Sequence, residues 1–167
     1  MPVPAPRARD RDFSRGSAPR QRSRIFAVES RSRHEPFDAL VLVDRDHILL
    51  VDHKNARLWL PSGGHVEPGE HPRTTVMREI REELGLDLSD VLEKPLMVTI
   101  AETVGISAGH TDVSLWYVIN FDRRTKLVFD PTEFHSVQWF HSSEAPVSRS
   151  DPHLQRFLGK LALTGRP

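Results

Sequence analysis

Short apolar runs separated by turn residues dominate the first half of the chain. One run is bounded by Asp38 and Asp44, and a second occupies residues 48–52. Arg45 and Asp46 lie between them and are predicted to form the connection of a β-hairpin. A third short strand is predicted at residues 58–60. Residues 62–64, with the sequence Ser-Gly-Gly, are predicted to form a loop, because glycine adopts backbone angles that other residues rarely reach.

Residues 73–84 change to a helical pattern. Val76, Ile80 and Leu84 recur at spacings of four, which predicts a helix with one face in the core. Gly85 follows the last of them and is typical of a residue that ends a helix.

The second half of the chain predicts three further strands, at residues 96–101, 113–121 and 137–140. A final helix is predicted at residues 152–163, with Asp151 as its N-cap. Strand-rich and helical segments alternate only twice, without the regular alternation of βαβ units. This order predicts an α+β fold with a mixed β-sheet between helices.

Composition narrows the class of protein. The 167 residues have a formal net charge of zero and include no cysteine, so disulfides, thiolate metal sites and a cysteine nucleophile are excluded. Neither nucleic acid nor a membrane is favoured as a partner by charge, no apolar stretch is long enough to span a bilayer, and a cytoplasmic location is expected. Residues 1–24 hold seven arginines and are predicted to be a disordered basic tail, whereas residues 25–167 are predicted to form a single domain.

The candidate chemistry lies on the predicted helix at residues 73–84. Glu79, Glu82 and Glu83 are spaced by three and four residues, which places them on one face of the helix. Three like charges repel one another, and a cation that lies among them offsets this repulsion. Carboxylate oxygens are the ligands that Mg²⁺ prefers, together with waters and phosphate oxygens. The spacing therefore predicts a Mg²⁺–phosphate site.

The same stretch resembles the Nudix box. Residues 64–86 fit the pattern G-x5-E-x7-R-E-aliphatic-x-E-E-x-G-aliphatic at every defined position. The single-residue positions are Gly64, Glu70, Arg78, Glu79, Glu82, Glu83 and Gly85. The resemblance to this MutT-like hydrolase family implies an α/β/α sandwich over residues 36–163. It also implies Mg²⁺-dependent hydrolysis of a phosphoanhydride bond in a nucleoside diphosphate-linked small molecule, with Mn²⁺ as an alternative ion.

The resemblance also implies roles for individual residues. Glu79, Glu82 and Glu83 would share the roles of metal ligand and general base, with the division between them open. The carbonyl oxygen of Gly63 would be a further ligand, and Glu133 is the preferred acidic ligand from a later loop. Glu102 and Asp112 are the other acids considered for that role.

Other residues of the box are predicted to be structural or to contact substrate. Gly64 belongs to the glycine turn, and Glu70 and Arg78 are expected to form a bidentate ion pair that holds the loop against the helix. A direct contact of Arg78 with phosphate is the alternative. The residues considered for substrate contact are Trp59, His65, His110 and Asp151.

Alternative functions remain open at this point. A non-catalytic nucleotide-binding module and a hydrolase of a specialised-metabolite diphosphate both fit the box. An isopentenyl diphosphate isomerase, a third use of the fold, relies on a cysteine that this chain does not contain. The resemblance also allows a homodimer, which the residues do not test.

Overall fold

We describe a computed structural model of the chain, in which residues 34–88, 94–102 and 111–165 are described. His110 and the predicted basic tail at residues 1–24 lie outside these residues. The elements are β1 (His34–Asp44), β2 (His47–His53), β3 (Leu58–Leu60), β4 (Ser62–His65), α1 (Pro72–Leu84), β5 (Met97–Glu102), β6 (Thr111–Asn120), β7 (Phe134–His141) and α2 (Leu154–Leu163). Short 3₁₀ turns at Ser142–Glu144 and Val147–Arg149 connect β7 to α2.

The strands form one mixed sheet, as the sequence predicts. Its main order is β3-β2-β1-β6-β5, with β4 paired to β1 and β7 paired to β2. Strands β1 and β6 are parallel, whereas the other pairs are antiparallel. Strand β1 thus lies at the centre of the sheet. Its residues 43–44 pair with β2, and its residues 37–40 pair with β4.

The sheet separates two hydrophobic layers, because successive side chains of a strand point to opposite faces. Leu40 and Leu42 of β1 pack with Ile80 and Leu84 of α1 on one face. On the other face, Val41 belongs to the layer that includes Trp116, Leu154 and Phe157, the last two from α2. The α+β class and the sandwich of a mixed sheet between helices are confirmed.

Helix α1 is capped at both ends. Pro72 occupies the first turn, and the His71 ring accepts a hydrogen bond from the backbone N–H of Arg73. Gly85 adopts a left-handed conformation (φ +64°), and its N–H donates to the carbonyl of Arg81. A glycine there ends the helix without steric cost, as the sequence predicts.

Two predictions about strands were wrong. Asp38 does not bound the first strand but lies in its middle, since β1 begins at His34. The segment predicted as a Ser-Gly-Gly loop is strand β4, which pairs with residues 37–40 of β1. Glycine disfavours a strand in isolation, but pairing with the central strand satisfies the backbone hydrogen bonds of this segment.

The start of the last helix also differs from the prediction. Helix α2 begins at Leu154, and His153 is the N-cap residue, without a side-chain capping bond. Asp151 instead caps the turn before the helix, where its carboxylate accepts a hydrogen bond of 2.7 Å from the N–H of His153. None of the helices in the described residues has the length and apolar character needed to cross a membrane.

Candidate active site

Strand β4 and helix α1 meet at the Glu83 carboxylate. Glu83 is only 5% exposed, and its Oε2 atom accepts hydrogen bonds from the Ser62 hydroxyl at 2.5 Å and from the Gly63 N–H at 3.0 Å. Burial raises the pKa of Glu83 to about 8, although these two bonds favour the charged form. The two hydrogen bonds therefore do not fully compensate the cost of ionising the buried Glu83 carboxylate.

Glu79 occupies the space beside Gly64. A Cβ atom at position 64 would lie 2.2 Å from Glu79 Oε1, so a side chain there would displace the carboxylate. Burial raises the pKa of Glu79, and this effect exceeds the opposing hydrogen bond of 2.6 Å from Arg78. The glycine therefore admits a partly desolvated carboxylate next to the strand.

The two glycines of β4 predict a contrast between stability and activity. Gly63 has φ +150°, and a Cβ there would lie 1.8 Å from the backbone oxygen of Asp38. Gly63→Ala is therefore expected to lower the free energy of unfolding by roughly 3 kcal/mol or more. In Gly64→Ala the nearest atoms to the new Cβ belong to the movable end of Glu79, so this variant should fold with a similar melting temperature but lose activity. Urea unfolding and turnover assays on both variants measure the contrast; equal losses of stability would contradict it.

Arg78 joins the loop, the helix and the carboxylates. Its guanidinium donates to Glu70 through Nε at 3.3 Å and Nη2 at 3.1 Å, which is the bidentate pair expected from the sequence. It also donates to Glu79 at 2.6 Å and to Glu82 at 3.4 Å. Hydrogen bonds from Arg78 and then Thr75 lower the pKa of Glu70 to about 2. Glu70 is thus ionised at neutral pH, and its ion pair with Arg78 holds the loop against helix α1.

Glu82 and Glu133 lie at the edge of this cluster. The Glu82 side chain is 61% exposed and contacts Arg78. The backbone carbonyl of Glu133 accepts a hydrogen bond of 2.9 Å from the N–H of Lys54, which fixes its loop to the end of β2. The charge of Glu133 raises the pKa of both Glu79 and Glu83, so the structure brings this acid near the other two.

The described carboxylates do not enclose a cation by themselves, but they suit a hard divalent cation that keeps most of its waters. No described residue donates a hydrogen bond to Oε1 of Glu83, and this atom is not among those sealed from solvent without a partner. In the part of the chain that is described, no three His, Cys, Asp or Glu side chains are close enough to enclose a metal ion. Mg²⁺ typically takes one or two carboxylates and retains waters, so one open carboxylate oxygen among neighbouring acids suits it.

Asp38 is a buried acid that the sequence analysis did not assign to the site. It is fully buried, and both carboxylate oxygens lack a hydrogen-bond partner. It lies directly opposite Gly64 in the β1–β4 pair, so their side-chain positions share a face. Burial, and then the charges of Glu70 and Glu79, raise the pKa of Asp38 to about 7. The available sequence signal for this site was an aspartate beside an apolar run. The same pattern is typical of the end of a strand, which is how the sequence analysis interpreted Asp38.

His65 lies on the opposite face of β4 from Gly64. Its ring Nε2 is 3.2 Å from a carboxylate oxygen of Asp112, and its ring contacts the edge of Phe37. Burial raises the pKa of Asp151, and the nearby charge of Asp112 adds a smaller effect in the same direction. The structure therefore brings His65, Asp112 and Asp151 into one neighbourhood, and His65 directly follows Gly64 in the chain.

Trp59 packs within the hydrophobic layer on the α2 side of the sheet. Its ring contacts Phe140 edge-on at 5.0 Å between centroids, and the Arg149 guanidinium lies 5.9 Å from its centroid. The Ser150 hydroxyl donates to its carbonyl oxygen. These contacts give Trp59 a packing role in the structure, which the sequence leaves undecided.

The mixed sheet between two helices and the carboxylates at the β4–α1 junction are features of one class of hydrolase. The family model described as NUDIX domain matches residues 32–161, and the chain belongs to this family as a Nudix-type hydrolase. It is 30% identical over 125 residues to the uncharacterized Nudix hydrolase YvcI of Bacillus subtilis, over 72% of this chain and 76% of that protein. It is 28% identical over 135 residues to the CTP pyrophosphohydrolase of Escherichia coli, over 72% and 90% of the two chains.

Solved structures share the fold. A MutT Nudix hydrolase from Burkholderia pseudomallei superposes with a TM-score of 0.65 at 22% identity, over 77% of this chain and 98% of that chain. The dihydroneopterin triphosphate pyrophosphohydrolase of Escherichia coli gives a TM-score of 0.66 at 16% identity, over 79% and 99% of the chains. At these identities the likeness concerns the fold alone.

Proposed function

We propose that the protein hydrolyses a phosphoanhydride bond in a nucleoside diphosphate-linked small molecule by attack of water on phosphorus, with Mg²⁺ as the cofactor. The observation that carries the proposal is the arrangement at the β4–α1 junction. Two partly desolvated carboxylates, Glu79 and Glu83, lie beside consecutive glycines, and no described residue donates a hydrogen bond to Glu83 Oε1.

The proposed metal ligands are Glu82, Glu83 and the carbonyl oxygen of Gly63, with Glu79 as ligand or base and Glu133 as a further ligand. A divalent cation bound there supplies charge neutralisation for the phosphates and a lower pKa for a bound water. Mn²⁺ is the expected substitute, because it also prefers oxygen ligands.

The remaining contributions to the proposed reaction come from the protein's own residues. Burial disfavours the charged form of Glu79, which suits a group that accepts a proton from water during attack. Arg78 holds the helix against the loop through Glu70 and orients Glu79 through a second hydrogen bond. The small residues at positions 63 and 64 leave room for phosphate oxygens to approach the backbone.

The nucleoside part is proposed to lie near His65, Asp112 and Asp151, on the other face of β4. The His65 side chain is 44% exposed there, and acids are suitable acceptors for the amino groups of a base or the hydroxyls of a sugar. The relative named CTP pyrophosphohydrolase makes CTP the first nucleotide to test.

The test is incubation of the protein with nucleoside triphosphates, nucleotide sugars and dinucleotides, each with Mg²⁺, with Mn²⁺ and with EDTA. Products are separated by chromatography. We expect one substrate group to be cleaved at a phosphoanhydride bond in the presence of either ion, and EDTA to abolish cleavage. Absence of cleavage across the panel by folded protein, with either ion bound, would contradict the proposal for these substrates.

A further inference from the structure

The hydrogen bonds to the Glu83 carboxylate are distributed unequally between its two oxygens. The Ser62 hydroxyl donates to Oε2 at 2.5 Å, and the Gly63 N–H donates to the same atom at 3.0 Å. Oε1 receives no hydrogen bond from any described residue and is not sealed from solvent. The described residues thus engage one oxygen of the carboxylate, and none of them donates a hydrogen bond to the other.

Both donors belong to β4, whereas Glu83 belongs to α1. Ser62 is 4% exposed and Glu83 is 5% exposed, so water has little access to the bond between them. A hydrogen bond to a carboxylate in such surroundings is short and strong, because little solvent competes for the donor. Rotation of the carboxylate would break both bonds, so the strand fixes the direction in which Oε1 points.

We propose that Ser62 is a positioning residue, whose hydroxyl holds Glu83 through Oε2 so that Oε1 faces the cation. This inference rests on the metal role of Glu83 in the proposed function. Groups that orient a metal ligand commonly change metal affinity by 10- to 100-fold when they are removed. The Gly63 N–H alone would leave the carboxylate free to pivot about a single bond, which is why the side chain of Ser62 matters.

The experiment measures the affinity for Mn²⁺ alone by titration calorimetry, at a temperature where every variant is folded. Ser62→Ala is expected to weaken Mn²⁺ binding by about 10- to 100-fold. Ser62→Cys should do the same, because a thiol is a weak donor, and Ser62→Thr should retain the wild-type affinity, because it keeps the hydroxyl.

Ser150→Ala is the matched control. It removes another poorly exposed hydroxyl, which donates to the carbonyl of Trp59 and makes no hydrogen bond to α1. This control is expected to change the melting temperature without changing the Mn²⁺ affinity. A merely structural role for Ser62 predicts the same behaviour for Ser62→Ala, so Mn²⁺ affinity equal to wild type would overturn the inference whatever happens to stability.

A double-mutant cycle separates the inference from the proposed function. Because Ser62 acts through Glu83, the Ser62→Ala change should have no further effect on Mn²⁺ affinity in a Glu83→Gln background. An equal loss in both backgrounds would overturn the positioning role and leave the metal role of Glu83 standing. A Glu83→Gln protein that binds Mn²⁺ as tightly as wild type would instead refute the proposed metal site itself, and the inference with it.

Discussion

Replacing Glu83 by glutamine is expected to lower turnover by roughly 10²- to 10³-fold while the protein still folds. The glutamine carbonyl oxygen can accept the same hydrogen bonds from the Ser62 hydroxyl and the Gly63 N–H. Its amide nitrogen would then take the place of Oε1, where it offers the cation a donor instead of a negatively charged ligand. The loss should therefore appear in turnover and metal affinity, not in the fold.

The same substitution should stabilise the metal-free protein above pH 7. Burial raises the pKa of Glu83 to about 8, so near that pH the folded protein bears the cost of ionising a desolvated carboxylate. Glutamine removes this cost and keeps the shape. A higher melting temperature together with lost turnover would indicate a residue that serves function at the expense of stability.

Glu144→Gln is the matched control for this experiment. Glu144 is exposed in the 3₁₀ turn after β7, and the structure assigns it no contact with the β4–α1 junction. It should keep wild-type turnover and melting temperature. Turnover of Glu83→Gln equal to that of Glu144→Gln would contradict the assignment of Glu83 to the site.

The helix and its carboxylates could be predicted from the sequence because their signals are local. Spacings of three and four residues place Glu79 and Glu83 on one side of α1, and Gly85 ends the helix as expected. The ion pair between Glu70 and Arg78 was also predicted, since loop and helix are close in the chain. Periodicity and short-range geometry suffice for such features.

Contacts between distant strands could not be predicted in this way. The pairing of β4 with β1 depends on tertiary structure, and it changes a predicted loop into a strand. It also encloses Asp38 and brings the Ser62 hydroxyl to Glu83 across 21 positions of sequence. The propensities of serine, glycine and aspartate all favour turns, so local preference gave the wrong structure here.

Asp38 makes the stability of the metal-free protein depend on pH in an unusual direction. Its pKa is about 7 and that of Glu83 is about 8 in the folded protein, whereas unfolded carboxyl groups titrate near pH 4. The folded state therefore binds protons more tightly than the unfolded state. This contribution is fully present below about pH 4 and is lost as the pH rises through 7 and 8.

Glu70 acts in the opposite direction but in a different pH range. Its pKa is lowered to about 2, so its contribution is present above about pH 4.5 and is lost only as the pH falls towards 2. It therefore does not offset the effect of Asp38 and Glu83 between pH 5.5 and 8.5. Over that interval we expect the free energy of unfolding of the metal-free protein to fall by on the order of 5 kcal/mol, about 2 from Asp38 and about 3 from Glu83.

Asp38→Asn isolates the share of Asp38 in this pH dependence. The substitution keeps the shape and removes the charge, so at pH 8.5 it should stabilise the metal-free protein by on the order of 2 kcal/mol more than it does at pH 5.5. At pH 5.5 Asp38 is protonated in the folded protein but still ionised in the unfolded protein, so a smaller gain should remain, and it should vanish only below about pH 4. Urea unfolding in EDTA at both pH values measures the difference, with the exposed Asp87→Asn as a control that should show none.

Added Mg²⁺ should counteract the pH trend in the wild-type protein. Protons and the cation compete for the same carboxylates, so the ion binds better when Glu83 is ionised and stabilises the folded state more at high pH. The rise in melting temperature on adding Mg²⁺ is therefore expected to be larger at pH 8.5 than at pH 5.5. A metal-free protein whose stability is constant or rises over this interval would contradict the buried, proton-binding state of Asp38 and Glu83 on which the prediction depends.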